Sequence, residues 1–475
     1  MIDSELVKRM RALLGTERVL ASPEELLVYE CDGLTLYRNQ PELVVLPETT
    51  EEVASIVRLL KDRGVPFVPR GAGTSLSGGT FSEPGVVQIS LARMRRILRV
   101  DLRNRRAVVQ AGVVNLHLSQ AVEQQGYHYA PDPSSQGACT IGGNVAENSG
   151  GPHTLKYGVT VNHVLGLKVV LPSGEVVELG GPQEDPPGYD LVGLITGSEG
   201  TLGIVTEATV RLTRNPQAWK TYLAVFESVE DATRCVSGII SRGIIPAALE
   251  MMDHLVIQAV EAAFRFGFPL DAGAVLIVEL DGPAEGLPEE GERVEAVFRE
   301  HGAREVRTAR DARERAKLWA SRKKAFGAVG RLSPSYVTQD GVVPRSRLPE
   351  IMARAEEVGR RHGIRIANVF HAGDGNIHPL LLYDERDPEQ VERVLAASDE
   401  LLEACIELGG ALTGEHGVGI EKKSHLGRLF SEDDLQVMLD VHDVFNPDSR
   451  CNPGKIFPSA RSCVEVRRPR AAAPA

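Results

Sequence analysis

The sequence predicts an α+β protein of two packed units: short strands and helices around glycine-rich loops come first, then an antiparallel sheet covered by helices. Three observations lead there. With 475 residues and 51.5 kDa the chain exceeds what one hydrophobic core sustains, so at least two units must pack together. Glycine and proline punctuate residues 42–212 densely. Near Asn215-Pro216 that pattern gives way to long apolar strands alternating with amphipathic helices. The first unit is therefore expected over residues 1–215 and the second from residue 216 onward, with an Arg-, Ala- and Pro-rich tail at 459–475 that reads as disordered.

Taken in order, residues 1–15 form an amphipathic start without the apolar core or cleavage site of a signal peptide. LVVLP at 43–47 reads as a strand, Thr49 and Glu52 as the capping box of a helix, and PFVP at 66–69 as a strand running into glycines. Beyond residue 216, TYLAVF at 221–226 and AVLIVEL at 274–280 read as strands, and residues 290–300 and 348–362 as helices. The longest apolar stretch, 272–280, is too short to cross a membrane and suits a buried strand.

Composition narrows the function classes. A net charge of -12 argues against a nucleic-acid surface, and an anionic substrate would need a local basic pocket. Cys31, Cys139, Cys235, Cys405, Cys451 and Cys463 lack CxxC spacing, which fits reduced thiols and gives no iron–sulfur ligand set. The chain reads as cytoplasmic, at most peripheral to the inner membrane.

The run Pro69-Arg70-Gly71-Ala72-Gly73-Thr74-Ser75-Leu76-Ser77-Gly78-Gly79 follows an apolar strand directly. Its glycines let backbone N–H groups converge on phosphate oxygens without Cβ obstruction. It is no Rossmann fingerprint: Leu76 takes the third glycine position, and a strand follows where a helix would be needed. One such loop is an ordinary surface turn. Three more segments accompany it: Pro131-Asp132-Pro133, then Ile141-Gly142-Gly143-Asn144 with Asn148-Ser149-Gly150-Gly151, then Gly197-Ser198-Glu199-Gly200-Thr201-Leu202-Gly203-Ile204. Four loops exceed what turns require.

In the second unit, apolar strands flank Asp374-Gly375 in Ile366-Ala367-Asn368-Val369-Phe370-His371-Ala372-Gly373-Asp374-Gly375-Asn376-Ile377-His378. With Asp374-Gly375 as a two-residue turn, His371 pairs with His378. Opposed side chains share a face with Cβ atoms roughly 4.5–5.5 Å apart, a separation that suits two imidazoles on one ion. A third ligand must come from elsewhere. Thr413-Gly414-Glu415-His416-Gly417-Val418-Gly419 offers a carboxylate and another imidazole.

Across about residues 28–457 these motifs resemble the vanillyl-alcohol oxidase and p-cresol methylhydroxylase type of flavoprotein. They are most similar to the branch holding D-lactate dehydrogenase and the FAD subunit of glycolate oxidase. The resemblance implies a two-subdomain FAD-binding domain over 1–215, a cap domain that binds substrate and metal over 216–440, and a return to the FAD domain at 441–458. It implies cofactor contacts at Arg70, Gly71, Ala72, Gly73, Thr74, Ser75, Pro131, Asp132, Gly142, Gly143, Asn144, Asn148, Gly150, Glu199, Gly203, Ile204 and, in the returning Asn452-Pro453-Gly454-Lys455, Asn452. Thr74 and Ser75 stand where covalent flavoproteins of this type place histidine, so non-covalent FAD is expected. HxGDGNxH and GEHG imply His371, His378 and Glu415 as ligands of a divalent metal, zinc first, with manganese or iron as alternatives. His416 is implied as the base, Arg322 as the grip on the substrate carboxylate and Asn376 as a neighbour of substrate and flavin.

That set suits oxidation of a 2-hydroxy acid, where a hydroxyl proton and a hydride from Cα must both leave. A metal chelating hydroxyl and carboxylate acidifies the proton, and a histidine can take it. Relatives acting on D-2-hydroxyglutarate are expected to carry a threonine four residues beyond the arginine and a lysine before the following strand aspartate. Phe326, and Thr338 and Gln339 before Asp340, depart from that pattern and favour D-lactate or glycolate. The electron acceptor stays open among a quinone, a cytochrome and an iron–sulfur partner subunit, as does homodimer formation. Two other readings share the plan: a flavoprotein subunit that needs partners for activity, and an alkyl-dihydroxyacetone-phosphate synthase-like enzyme without net oxidation. A hydrolytic metalloenzyme is disfavoured because HExxH is absent.

Overall fold

The computed structural model describes residues 2–183 and 187–458. The tail expected at 459–475, with Cys463, lies outside the described residues; the other five cysteines are free thiols. Among its described residues the first unit holds a two-stranded pair, Tyr127–His128 with Thr213–Arg214, and two larger sheets. One has the strand order Val19–Leu20, Leu43–Val45, Val87–Ser90, Phe67–Arg70, with the last three parallel. Its apolar strands pack on the helices Ser4–Leu14 and Thr50–Asp62 through Leu6, Met10, Val53, Val57 and Leu60. Thr49 caps the second helix by accepting from the Glu52 N–H at 3.2 Å. The reciprocal half of the expected capping box is displaced by one residue, because the Glu52 carboxylate accepts from the Glu48 N–H at 2.7 Å.

The other sheet is antiparallel, in the order Ile97–Asp101, Arg106–Gln110, Ile204–Arg211, Val164–Val170, Val176–Gly180. Helix Ile141–Glu147, which carries the Gly142-Gly143 pair, packs its Ile141 and Val145 on that sheet. Gly142 is needed there, since a Cβ would stand 2.6 Å from the Ala111 Cβ. Residues 71–83 run without helix or strand, so the first glycine-rich loop leads to a strand, as its sequence requires.

The cap is one antiparallel sheet. Glu305–Thr308, Ala218–Phe226, Ala274–Gly282, Ala248–Asp253 and Arg365–His371 lie side by side, continued by Asn376–Ile377 and Gly341–Val342, while Pro379–Tyr383 pairs with Arg365–His371 and Ser335–Thr338. Both faces are covered. Tyr222, Ala224 and Phe226 meet helices Val229–Ser241, Leu287–Glu300 and Leu348–His362. Leu223 and Val225 meet helices His254–Phe264 and Ala325–Val329. Burial on both faces explains why AVLIVEL shows no polar alternation. The basic segment 311–331 is two helices, Ala312–Lys323 and Ala325–Val329, and it buries Trp319, Ser321 and Arg322.

Residues 450–452 come back to the first sheet. The Phe67 N–H donates to the Arg450 carbonyl and the Asn452 N–H to the Phe67 carbonyl, each at 2.8 Å. Among the described residues no helix is long and apolar enough to cross a membrane.

Candidate active site

A cavity of about 790 Å³ runs between the two units. Arg70, Gly71, Ala72, Gly73, Thr74, Ser75, Gly142, Gly143, Asn144, Glu199, Gly203, Ile204 and Asn452 line it from the first unit. Phe326, Tyr336, Thr338, Glu415 and His416 line it from the cap. Residues 71–76 turn no backbone N–H toward a protein acceptor among the described residues, which leaves a row of donors suited to phosphate oxygens. Gly73 has φ +69°, and a Cβ there would fall 2.1 Å from Arg70 Nη2, so that side chain and the loop occupy the space together. Arg70 is held by Thr80 at 3.0 Å and lies over the Tyr29 ring. These residues fit a cofactor that presents phosphate.

Four expected cofactor residues sit outside the cavity lining. The Pro131 carbonyl accepts from Asn115 at 2.9 Å, and Asp132 binds His153 Nδ1 at 2.8 Å. Asn148, at φ 52°, accepts from the Val161 N–H at 2.9 Å. Gly150 faces the site's other half: a Cβ on it would stand 2.8 Å from Glu415 Oε2. Glu199 lines the cavity but spends its carboxylate elsewhere, accepting from the Val418 and Gly419 N–H groups at 2.6 and 2.7 Å. It thus ties the GEHG loop to the first unit.

The hairpin register differs from the expected one. His371 pairs with Asn376, across a turn spanning Ala372-Gly373-Asp374-Gly375, and Asn368 with Pro379. The shift is two residues, and a two-residue shift keeps every side chain on its face. His378 therefore meets His371 diagonally, with ring centroids 5.1 Å apart and planes at 88°. Gly375, at φ +76°, lets the turn pass the Val343 carbonyl, which a Cβ would approach to 2.1 Å.

Glu415 Oε1 gathers three imidazoles: His378 Nε2 at 3.1 Å, His371 Nε2 at 3.3 Å and His416 Nε2 at 3.5 Å. Burial alone would raise the Glu415 carboxyl; the His371 charge and the hydrogen bonds from all three rings hold it well below its ordinary value. Burial presses the His371 imidazole down as well, but Glu250 and Glu415 overcome that and lift it well above. In His378 burial prevails and the imidazole titrates lower than usual. Donor atoms of His371, His378 and Glu415 lie within 4.8 Å of one another, and so do those of Asp340, His378 and His416. Two imidazoles and a carboxylate make an N/O set suited to a divalent metal.

Sequence reasoning missed the groups behind these side chains. Buried Asp340 accepts from the Gly414 N–H at 3.1 Å, the His416 N–H at 3.0 Å and Lys422 Nζ at 3.2 Å, which fixes the GEHG loop. Burial favours its protonation, but Lys422, then His416 and His378, keep its carboxyl far below the ordinary range. Glu250 Oε1 meets His371 Nδ1 at 2.8 Å, and Glu250 Oε2 accepts from Arg322 Nε at 2.6 Å. Only Glu250 carried a local signal, an acid in the middle of the apolar strand ALEMMD, whose other acid, Asp253, stands at the strand end; Asp340 lies between two strands. His371, His378 and Arg322 do not line the cavity; they stand behind Glu415, His416 and Phe326, whose ring lies 5.6 Å from the Arg322 guanidinium carbon. Asn376 is buried with its Oδ1 unpartnered, beside Gly414.

Comparison with known proteins covers both units. The FAD binding domain family matches residues 41–180, and the C-terminal domain of FAD linked oxidases matches residues 215–456. The glycolate oxidase subunit GlcD of Escherichia coli (strain K12) is 47% identical over 447 residues, covering 94% of this chain and 90% of that protein. D-lactate dehydrogenase of Anaerostipes hadrus is 33% identical over 465 residues, covering 96% and 98% respectively. Among solved structures, 4-ethylphenol oxidase from Gulosibacter chungangensis superimposes with a TM-score of 0.79 at 18% identity, covering 97% of this chain and 99% of that one.

Proposed function

The chain belongs to the FAD-linked oxidase family, with the two-domain fold of the vanillyl-alcohol oxidase type, and within its class of FAD-dependent 2-hydroxy acid oxidoreductases we propose D-lactate or glycolate as its substrate. One observation carries this reading: Glu415 and His416, joined to His371 and His378, line the same cavity as the glycine-rich loop. The FAD-binding part is assigned to residues 1–215, the cap to 216–440 and the return to 441–458.

The glycine-rich loop at residues 70–75, with Gly142, Gly143 and Asn452, would hold FAD without a covalent bond, and the bound cofactor would supply the hydride acceptor. His371, His378 and Glu415 would hold a divalent ion, an N/O set that suits zinc, and the ion would supply Lewis acidity beside the base. His416 takes the hydroxyl proton at Nε2, the ring nitrogen on the side of Glu415. Asp340, 4.0 Å from His416 Nδ1, stabilises the imidazolium that results. Arg322 keeps Nη1 and Nη2 without a protein partner among the described residues, a fork suited to a carboxylate. Asn376, whose buried Oδ1 has no protein partner among the described residues, offers an acceptor to a donor group of substrate or flavin.

The test is turnover of D-lactate, glycolate and D-2-hydroxyglutarate by purified protein with an artificial acceptor dye, with the 2-oxo acid identified as product. D-lactate or glycolate should show the highest kcat/KM, since Thr338 and Gln339 stand where a lysine is expected in relatives acting on D-2-hydroxyglutarate, and Phe326 where a threonine is. A preference for D-2-hydroxyglutarate overturns the substrate assignment. Similarity to a glycolate oxidase subunit favours a second reading, a flavoprotein that needs partner subunits to reach its acceptor. Turnover by the isolated chain argues against it; flavin reduction without sustained turnover supports it.

A further inference from the structure

Glu250 is a buried carboxylate in the middle of a sheet, a position tolerated only with full compensation. The strand register sets it opposite His371, on the same face. Its two oxygens divide their work. Oε1 lies 2.8 Å from His371 Nδ1, and Oε2 accepts from Arg322 Nε at 2.6 Å. Arg322 comes from helix Ala312–Lys323 and His371 from strand Arg365–His371, and both are buried. One carboxylate therefore joins the two elements that carry the ion-facing imidazole and the guanidinium.

We propose that Glu250 is a positioning residue that couples the metal half of the site to its carboxylate-binding half. The proposal rests on the reading of His371 as a ligand and Arg322 as the carboxylate grip. An Nδ1–H donated to Oε1 leaves the His371 lone pair on Nε2, the atom that faces Glu415. Engagement of Nε by Oε2 fixes the planar guanidinium and leaves its other edge, Nη1 and Nη2, without a protein partner among the described residues, free for a ligand carboxylate. An amide cannot serve both partners. In Glu250→Gln a single acceptor oxygen faces two donors, so either the His371 tautomer or the Arg322 orientation is lost.

The experiment uses the FAD-loaded full chain, stripped of metal and titrated with Zn²⁺ against a chromogenic chelator, then assayed with D-lactate at saturating zinc. Glu250→Gln should weaken zinc binding by about 10–100-fold and raise KM for D-lactate by roughly tenfold or more, with kcat changing less. Arg322→Met should raise KM while zinc affinity stays near wild type, and the double variant should raise KM no further than Arg322→Met alone. If Glu250→Gln does not fold, Glu250→Asp keeps the charge but is one methylene short of spanning both partners, and at least one of the two losses should appear. Unchanged zinc affinity and KM in a folded Glu250 variant overturn the proposal, even if its melting temperature drops. Wild-type protein that turns over D-lactate without binding zinc overturns the metal reading itself, and that failure is visible before any variant is made.

Discussion

The two sides of the cavity offer a ligand different kinds of contact. Along residues 71–76 the contacts on offer are backbone N–H groups, and what the loop demands of its sequence is the absence of side chains, as at Gly73. On the cap side everything is side chain. Glu250, Asp340, His371, His378, Glu415 and His416 arrive from separate strands and loops, and each is buried or nearly so. The backbone side should therefore fail gradually, through affinity, whereas the cap side should fail residue by residue, each loss with its own signature.

The largest expected effect is that of His416→Asn, which removes the proposed base and leaves the proposed ligands His371, His378 and Glu415 in place. Flavin reduction by substrate, followed by stopped flow, should slow by about 10²–10⁴-fold, with FAD and metal contents near wild type. Loss of metal from this variant would make His416 a ligand, as the Asp340, His378 and His416 cluster also allows. His378→Ala should lose metal together with activity, and added metal should restore part of the rate. Elemental analysis checks the first half, and full metal content in the variant contradicts the ligand role.

A change on the backbone side should be milder. Gly73→Ala puts a Cβ on a left-handed residue against Arg70, and FAD should bind about tenfold more weakly, the scale of ~1–2 kcal/mol for that conformation. Acid should release the flavin from wild-type protein; flavin that stays with the precipitate would show a covalent bond.

His153 ties the two sides together, between Asp132 of the first unit and Glu279 of the cap at 2.8 and 3.6 Å. Burial pushes its imidazole down, but Asp132 and Glu279 outweigh burial and lift it to about 10. The folded value lies above the unfolded one, ~6.5. Its contribution to stability is thus complete below the unfolded value and is lost as pH climbs toward the folded one. Wild-type melting temperature should fall across that window more steeply than that of His153→Gln; parallel profiles would rule the linkage out. The smallest effect is expected from Thr49→Ala, a lost helix cap worth about 1 kcal/mol of unfolding free energy, with FAD and metal affinities unchanged.

The glycine-rich loop was legible in the sequence because its signal is local: strand, glycines, strand, with Leu76 ruling out the alternative turn. The histidine pair was legible despite a misjudged register, since a slip of two residues leaves His371 and His378 on one face. Nothing local marked the partners of Glu250 and Asp340. Arg322 lies 72 positions from Glu250 and Lys422 lies 82 from Asp340, so only tertiary packing creates those pairs. The same applies to Glu199, whose carboxylate caps amides of a loop 219 positions away.

The return of residues 450–452 to the first sheet bears on the order of events during synthesis. Asn452 Nδ2 donates to the carbonyls of Gly79 and Glu199, 373 and 253 positions earlier in the chain. While the polypeptide is still emerging from the ribosome, the glycine-rich loop therefore has to wait for the entire cap to be translated before its last brace arrives. The cap sheet, drawn from residues 218–383, closes on itself without that brace. Nascent chains halted just short of Asn452 should accordingly present a protease-resistant cap beside a flavin side that is still readily cleaved.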